Sequence, residues 1–160
     1  MIAAKDLAPT TGTAGDPTYT FATNGTVNAI GLAVDASFVE IGLLKQSAGL
    51  KETMTKDDTK GLLYFNQEFS MTVAGISTEN RTFVETVLRQ PVVVLMKGMS
   101  ETVAKYFIAG LNEQLTLTAL ESGTGVSKDD TAGYKLTFSG YSTKLIPLVD
   151  NTIIGTLLGS

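Results

Sequence analysis

The residues best suited to chemistry lie in two acidic loops of the same form. The pattern Lys-Asp-Asp-Thr-x-Gly occurs at 56–61 and again at 128–133, and a predicted strand follows each copy. Paired carboxylates offer the hard oxygen ligands that Ca²⁺ prefers, but calcium loops space their acids at alternating positions and close on a glutamate. Here the acids are adjacent, and no Asp or Glu occurs at 131–139. The four carboxylates are Asp57, Asp58, Asp129 and Asp130.

These loops are interpreted as turns that deliver strands. Asp and Thr side chains bond nearby backbone N–H groups in turns, and Gly61 and Gly133 supply a conformation that few other residues tolerate. We therefore predict no metal site. A cation held where the two loops meet in space stays open as an alternative.

The composition argues against catalysis. The chain contains no cysteine and no histidine, which excludes disulfides, thiolate metal sites and the Ser-His-Asp and Cys-His pairs of nucleophilic catalysis. Glu40, Glu68 and Glu113 are candidates for an acid-base pair, but each is predicted on or beside a strand, where a solvated face is the simpler role. We predict no catalytic residue, no cofactor and no enzymatic activity.

Charge and hydropathy limit the partners. The net charge is -4 and the basic residues are scattered, whereas affinity for nucleic acid requires clustered Lys and Arg. No apolar run approaches the roughly 20 residues of a membrane span, and none of signal-peptide length follows Lys5. We expect no sequence-specific nucleic-acid binding, no membrane contact and synthesis in a cytoplasm.

The clearest strand lies between residues 64 and 73, where side chains alternate with a period of two. This pattern predicts one face in the core and one face toward water or a polar neighbour. The core set is Phe65, Gln67, Phe69, Met71 and Val73, and the outward set is Tyr64, Asn66, Glu68, Ser70 and Thr72.

One helix is predicted, over 78–90. Ser77 or Thr78 can accept a hydrogen bond from the free N–H groups of its first turn, and Pro91 ends it. Its apolar stripe, at helical spacing, predicts packing on a sheet. The stripe consists of Phe83, Val84, Val87 and Leu88.

Short strands account for most of the remaining chain. They include 37–44 and the continuously apolar run 92–96, which is typical of a central strand covered on both faces. The polar segments 45–61 and 121–133 predict two long loops, because both exceed the usual connection length. Asn24-Gly25 predicts a tight hairpin turn.

These elements predict a mainly β (α+β) fold in a single domain, residues 1–160. An extended N-terminal arm over 1–18 precedes an antiparallel β-sandwich, or barrel-like sheets, over 19–150 with the one flanking helix. A C-terminal tail over 151–160 follows.

The tail predicts self-assembly. Ile153, Ile154, Leu157 and Leu158, left exposed, would form an apolar patch of the kind that marks a protein contact. Open sheet edges offer a second route, by strand addition between subunits.

The closing stretch GYKLTFSGYSTKLIPLV, residues 133–149, resembles the tail tube family of tailed bacteriophages and its relatives in neck and tail-completion rings. Its textual part is LTFSG followed by a strand and a proline, and the resemblance in organisation extends over about residues 19–150. It implies a homo-oligomer, a hexameric ring that stacks on or caps a tube, with DNA passing through the lumen.

The same resemblance implies a location in the virion after assembly in the host cytoplasm. Other virion proteins would then be contacted through loops 45–61 and 121–133. A mildly acidic, Thr-rich wall suits a conduit that must not hold DNA. Two alternatives stay open: a capsid decoration or cement protein, and a ligand-binding β-sandwich module.

Overall fold

The computed structural model describes residues 1–43, 47–98, 104–124 and 132–159. Strands account for 45% of it and helices for 14%, which confirms the mainly β, α+β fold class. No helix in these ranges is long and apolar enough to cross a membrane.

The described residues form ten strands and two α-helices. Two 3-10 turns, Ala4–Asp6 and Asn151–Ile153, accompany them. The helices are α1 (Thr78–Val87) and α2 (Ile154–Leu157). The strands are β1 (Ile2–Ala3), β2 (Tyr19–Phe21), β3 (Val27–Ile30), β4 (Ala48–Asp57), β5 (Leu62–Ala74), β6 (Val92–Lys97), β7 (Tyr106–Ala109), β8 (Thr116–Gly123), β9 (Gly133–Ser142) and β10 (Leu148–Val149).

The strands form two sheets. A six-stranded sheet has the order β1-β6-β7-β10-β3-β2, and a four-stranded sheet has the order β4-β5-β9-β8. All neighbouring strands are antiparallel except β3 and β10. The sheets join where Val92 and Leu115 exchange two backbone hydrogen bonds, at 2.8 and 3.0 Å. Both sheets are curled.

Strand β6 lies between two hydrophobic clusters. Val92 and Val94 pack with the four-stranded sheet and α1, whereas Val93 packs on the opposite face with α2. All three valines are buried. The prediction that 92–96 is a strand covered on both faces is therefore confirmed at its first three residues.

Helix α1 begins as predicted and ends three residues early. The Ser77 hydroxyl accepts a hydrogen bond from the Asn80 N–H at 3.1 Å. Val84 and Val87 are buried against the sheet, and Leu88 is half exposed. Because Pro91 disfavours the helical conformation of the residue before it, the chain leaves the helix over 88–90 as a turn.

The N-terminal segment does not project as the predicted arm. Ile2 is buried and pairs with Val93, and the Ala4 N–H donates to the Pro91 carbonyl at 2.9 Å. The predicted strand over 37–44 is wrong for its described part, 37–43, which contains no strand. This segment makes backbone hydrogen bonds to residues near the termini instead of to a strand: the Phe38 N–H donates to the Leu157 carbonyl.

The predicted loop over 45–61 is wrong for residues 48–57; residues 58–61 form a turn, and residues 45–46 lie outside the described ranges. Strand β4 occupies 48–57 and pairs with β5 at ten consecutive positions. The sequence of β4 shows no strand alternation, because neither face of the strand is fully covered and polar residues occur on both. The predicted loop over 121–133 is shorter than expected, because β8 continues to Gly123 and β9 begins at Gly133. Residues 125–131 lie outside the described ranges.

The C-terminal tail also packs on its own subunit. Ile154 and Leu157 are 7% and 2% exposed and belong to the cluster on the outer face of the six-stranded sheet. Ile153 is half-buried beside them, and Leu158 is 36% exposed. The expectation that these four side chains form an exposed patch is wrong for Ile154 and Leu157, because α2 turns them inward.

Candidate assembly surface

The four-stranded sheet has one buried face and one polar face. On β5 the predicted alternation is confirmed from Gln67 onward, with Gln67, Phe69, Met71 and Val73 buried, whereas Phe65 is half-buried. The strand register carries the same division to the other three strands. The outward face consists of Lys51, Thr53 and Thr55 on β4; Tyr64, Asn66, Glu68, Ser70 and Thr72 on β5; Lys135, Thr137, Ser139 and Tyr141 on β9; and Thr116, Ala119 and Glu121 on β8.

Charge on this outward face is balanced in cross-strand pairs. Lys51 lies directly opposite Glu68, and the Lys135 Nζ lies 3.3 Å from the Glu121 Oε2. The rest of the face is largely threonine, serine and tyrosine. It offers neither a basic groove nor an acidic pocket.

Both margins of this sheet are unpaired within the described residues. Strand β4 forms one margin and β8 the other. Seven of the eight β8 residues are exposed, and Leu117 is half-buried. Unpaired margins present rows of free N–H and C=O groups, which is the usual template for pairing with another chain.

The hydrogen-bond pattern shows which residues carry the unpaired backbone N–H and C=O groups at the two margins. The N–H of the outward-facing residue Thr72 donates to the Ser47 carbonyl on the β4 side at 2.8 Å. The N–H of Gly75, which continues the core-facing alternation of β5, donates to the Ala132 carbonyl on the β9 side, also at 2.8 Å. In an antiparallel sheet the backbone N–H and C=O groups of successive residues point to opposite sides of the strand. At both margins the free groups therefore belong to core-facing residues, such as Met54 on β4 and Leu120 on β8.

A buried polar network fixes the sheet to the rest of the molecule. Gln67, only 3% exposed, accepts a hydrogen bond from the Gly110 N–H at 3.2 Å and donates to Glu52 at 3.4 Å. The Glu52 Oε1 also accepts from the Ile146 N–H at 2.9 Å. Both sheets thus share satisfied buried polar groups. The one sequence signal was a glutamine at a core-facing position of β5.

The first acidic loop is a turn, as predicted. The Asp57 Oδ1 accepts hydrogen bonds from the backbone N–H groups of Thr59 and Lys60, at 3.0 and 3.2 Å. Gly61 has a φ of 63°, a left-handed conformation that favours glycine. Asp129 and Asp130 lie outside the described residues. Elsewhere in the chain, within the described ranges, no three acidic side chains come together as a metal site would require.

The three candidate acid-base glutamates lie on different segments. Glu68 is on the outward face of β5, Glu40 is exposed in the segment before β4, and Glu113 is exposed in the turn before β8.

A partly open cavity of roughly 340 Å³ lies between the sheets beside residues 38–43. Apolar side chains, among them Phe38, Phe69 and Met71, form most of its wall. The Met1 amine at its edge donates to the Val39 carbonyl at 2.8 Å. Burial lowers the pKa of this amine to about 6, because the charged form loses solvation.

No protein-family model, no curated protein and no solved structure matches this chain. The resemblance to the tail tube family consequently stays a prediction from the sequence.

Proposed function

We propose that this chain is a structural subunit that assembles with copies of itself into a ring. The observation that carries the proposal is that a single four-stranded sheet has two margins on opposite sides, β4 and β8, that no other described strand pairs with. Identical copies can extend such a sheet head to tail, and a rotation that closes produces a ring. Because the four strands alternate in direction, β8 of one copy runs antiparallel to β4 of the next.

The ring is a DNA conduit in a tailed bacteriophage, as a tail tube or as a neck or tail-completion ring. The outward face supports this role, because its charges cancel in pairs and hydroxyl groups cover most of the rest. Each phosphate that a wall neutralises adds affinity and slows the transit of DNA. The resemblance implies six copies per ring, no enzymatic activity and a location in the virion after assembly in the host cytoplasm.

Contacts with other virion proteins are assigned to the ends of the two long hairpins. At the tip of the β4–β5 hairpin, Leu62 and Leu63 are 48% and 52% exposed. Exposed apolar side chains of this kind mark protein contacts. This tip adjoins the segment 45–61, and β8 ends and β9 begins within the segment 121–133.

Sedimentation velocity and negative-stain microscopy of the purified chain test the proposal. We expect a discrete species whose population rises with concentration, and images of rings with a central hole. A monomer that stays unchanged at all concentrations and salt levels would contradict self-assembly. Binding to a preformed capsid at threefold positions, without rings, would favour the decoration or cement alternative.

The apolar cavity supports a second candidate, a ligand-binding β-sandwich. Its volume of roughly 340 Å³ lies within the range of small-molecule sites, about 300–1,000 Å³. A thermal-shift panel of apolar ligands, together with a glycan screen on the monomer, tests this candidate. A saturable rise in melting temperature with one ligand class would favour it over the ring.

A further inference from the structure

Resting on the proposed ring, we infer that β8 of one copy pairs with β4 of the next in a single register, with Glu121 directly opposite Lys51. The occupant of each free margin is therefore a second copy of this chain. The regular part of the contact is Ala119–Thr53, Leu120–Glu52, Glu121–Lys51, Ser122–Leu50 and Gly123–Gly49.

Three observations restrict the register. A shift by one residue would turn outward side chains into the core, because strand side chains alternate. Among the registers that remain, Glu121 is the only acid on β8, and Lys51 is the only basic residue on the outward face of β4. A shift by two residues in either direction would place Glu121 opposite Gly49 or Thr53 and remove the charge pair.

The pairing also creates an alternating row of charges across the junction. Within one copy Glu121 already lies 3.3 Å from Lys135, and within the next copy Lys51 lies opposite Glu68. Joining the two margins gives Lys135, Glu121, Lys51 and Glu68 in sequence across four adjacent strands. Opposite charges on neighbouring strands stabilise a sheet, whereas like charges directly opposite each other destabilise it.

The apolar side of the contact is consistent with this register. Leu120 is 40% exposed and Met54 is 57% exposed in the isolated subunit. In the inferred pairing Leu120 lies diagonally between Leu50 and Met54, within reach of both. The contact therefore covers two side chains that a single copy leaves in water.

The register sets the tilt of the strands in the ring. A line of directly paired residues crosses Thr72, Lys135 and Glu121 in one copy, then Lys51 and Glu68 in the next. Crossing the four strands of one copy therefore moves this line by four residues along β5, from Thr72 in one copy to Glu68 in the next. With ~3.3 Å per residue and ~4.8 Å between strands, the tilt is about 35°. Closed barrels have tilts of roughly 35–45°.

Engineered cysteines test the register against a clean background, since the chain has no cysteine of its own. Chains with Ala119→Cys are mixed with chains carrying Lys51→Cys, Thr53→Cys or Thr55→Cys, three outward-facing positions on one margin. In the inferred register Ala119 faces Thr53 as a close, non-hydrogen-bonded pair of ~4.5 Å between Cα atoms. The other two positions lie ~7–8 Å away, beyond easy disulfide reach.

We expect the Thr53→Cys mixture to form the disulfide-linked dimer at least about tenfold faster than the other two mixtures. In one chain with both Ala119→Cys and Thr53→Cys, the covalent ladder then ends at the number of copies in the ring. Within a single copy these positions are three strand spacings apart, roughly 14 Å, so only contacts between copies link them.

The outcomes separate this inference from the proposed function. Rings that link fastest through Lys51→Cys or Thr55→Cys would overturn the register and leave the ring intact. Rings that link through none of the three positions would overturn the inferred pairing of 119–123 with 49–53 and leave the ring intact. A chain that stays monomeric in the sedimentation experiment would overturn the ring and the register together.

Discussion

The two sheets differ in how much of each strand is covered. In the six-stranded sheet, Val93 and Ile108 are fully buried, and hydrophobic clusters pack on both faces. The four-stranded sheet has longer strands, a polar outward face and, within the described residues, two free margins. Both sheets contribute fully buried residues to the core, whereas the margins of the four-stranded sheet leave backbone hydrogen-bonding capacity unused. Folding is thus assigned to the buried faces and assembly to these margins, and mutations should separate them.

A fully buried side chain should have a large effect on folding. Ile108 on β7 is 0% exposed, and Ile108→Ala should lower the free energy of unfolding by about 2–5 kcal/mol, because it leaves a cavity. Leu120→Ala, on a margin of the other sheet, should change it by less than about 0.5 kcal/mol in the dilute monomer. Urea unfolding measures both. Equal losses of unfolding free energy in the two variants would show that the core and the margin do not divide folding and assembly between them.

The junction between the two sheets should respond less strongly. Gln67→Ala removes the acceptor of the Gly110 N–H and the donor to Glu52, and leaving a buried polar group unpaired costs about 1–3 kcal/mol. Asn66→Ala, the neighbouring outward position, is the matched control and should stay within about 0.5 kcal/mol. Urea midpoints compare the two variants. A Gln67→Ala chain as stable as the control would mean that the network does not hold the sheets together.

The buried amine of Met1 predicts a pH dependence for a chain that begins with a free amine there. Its pKa falls from 8.0 to about 6 on folding, so the folded state binds fewer protons than the unfolded state. Stability should therefore rise between about pH 6 and pH 8, and fall as the pH drops through the folded pKa. The two-unit shift corresponds to at most about 2.7 kcal/mol, and partial exposure lowers this to roughly 1–2 kcal/mol.

Acetylation of the amine provides the control for that measurement. The difference in urea midpoint between free and acetylated chains isolates the amine from all other titrating groups. We expect this difference to change between pH 6 and pH 8 and to be constant above that range. A difference that does not vary with pH would contradict a buried, neutral amine in the folded chain.

The sequence predicted those parts of the fold in which one face of an element is buried. The alternation on β5 and the Ser77 cap of α1 are confirmed because burial and local hydrogen bonding leave a direct pattern in residue types. Strand β4 was missed because it projects beyond the core and carries polar residues on both faces. For a margin strand, pairing with the neighbouring strand determines the structure, and this pairing leaves no alternating pattern in its own residue types.

The chain ends were predicted wrongly for a related reason. Whether Ile154 and Leu157 cover a neighbour or their own subunit depends on the direction in which α2 leaves β10, and hydrophobicity alone does not encode direction. The candidate surface was anticipated only in part. Open edges and a Thr-rich face were expected, but the identity of the two margins required the sheet order.

Met54→Pro should have the smallest effect on folding and the clearest effect on assembly. The Met54 N–H points to the free side of β4, so Met54→Pro removes no hydrogen bond within the subunit but blocks strand addition. Thr53→Pro, one residue earlier, removes a bond to β5 and is the matched control. We expect Met54→Pro to abolish rings in sedimentation and microscopy while the urea midpoint of the monomer changes little.

Thr53→Pro should instead lower the urea midpoint, because breaking a ladder bond costs about 0.5–1.5 kcal/mol before any steric strain. Rings that persist in Met54→Pro would show that β4 is not an assembly margin. Equal destabilisation by both prolines would show that the N–H groups of β4 do not alternate between β5 and solvent. Loss of rings in Met54→Pro with the monomer intact would instead locate assembly on backbone groups that folding leaves unused.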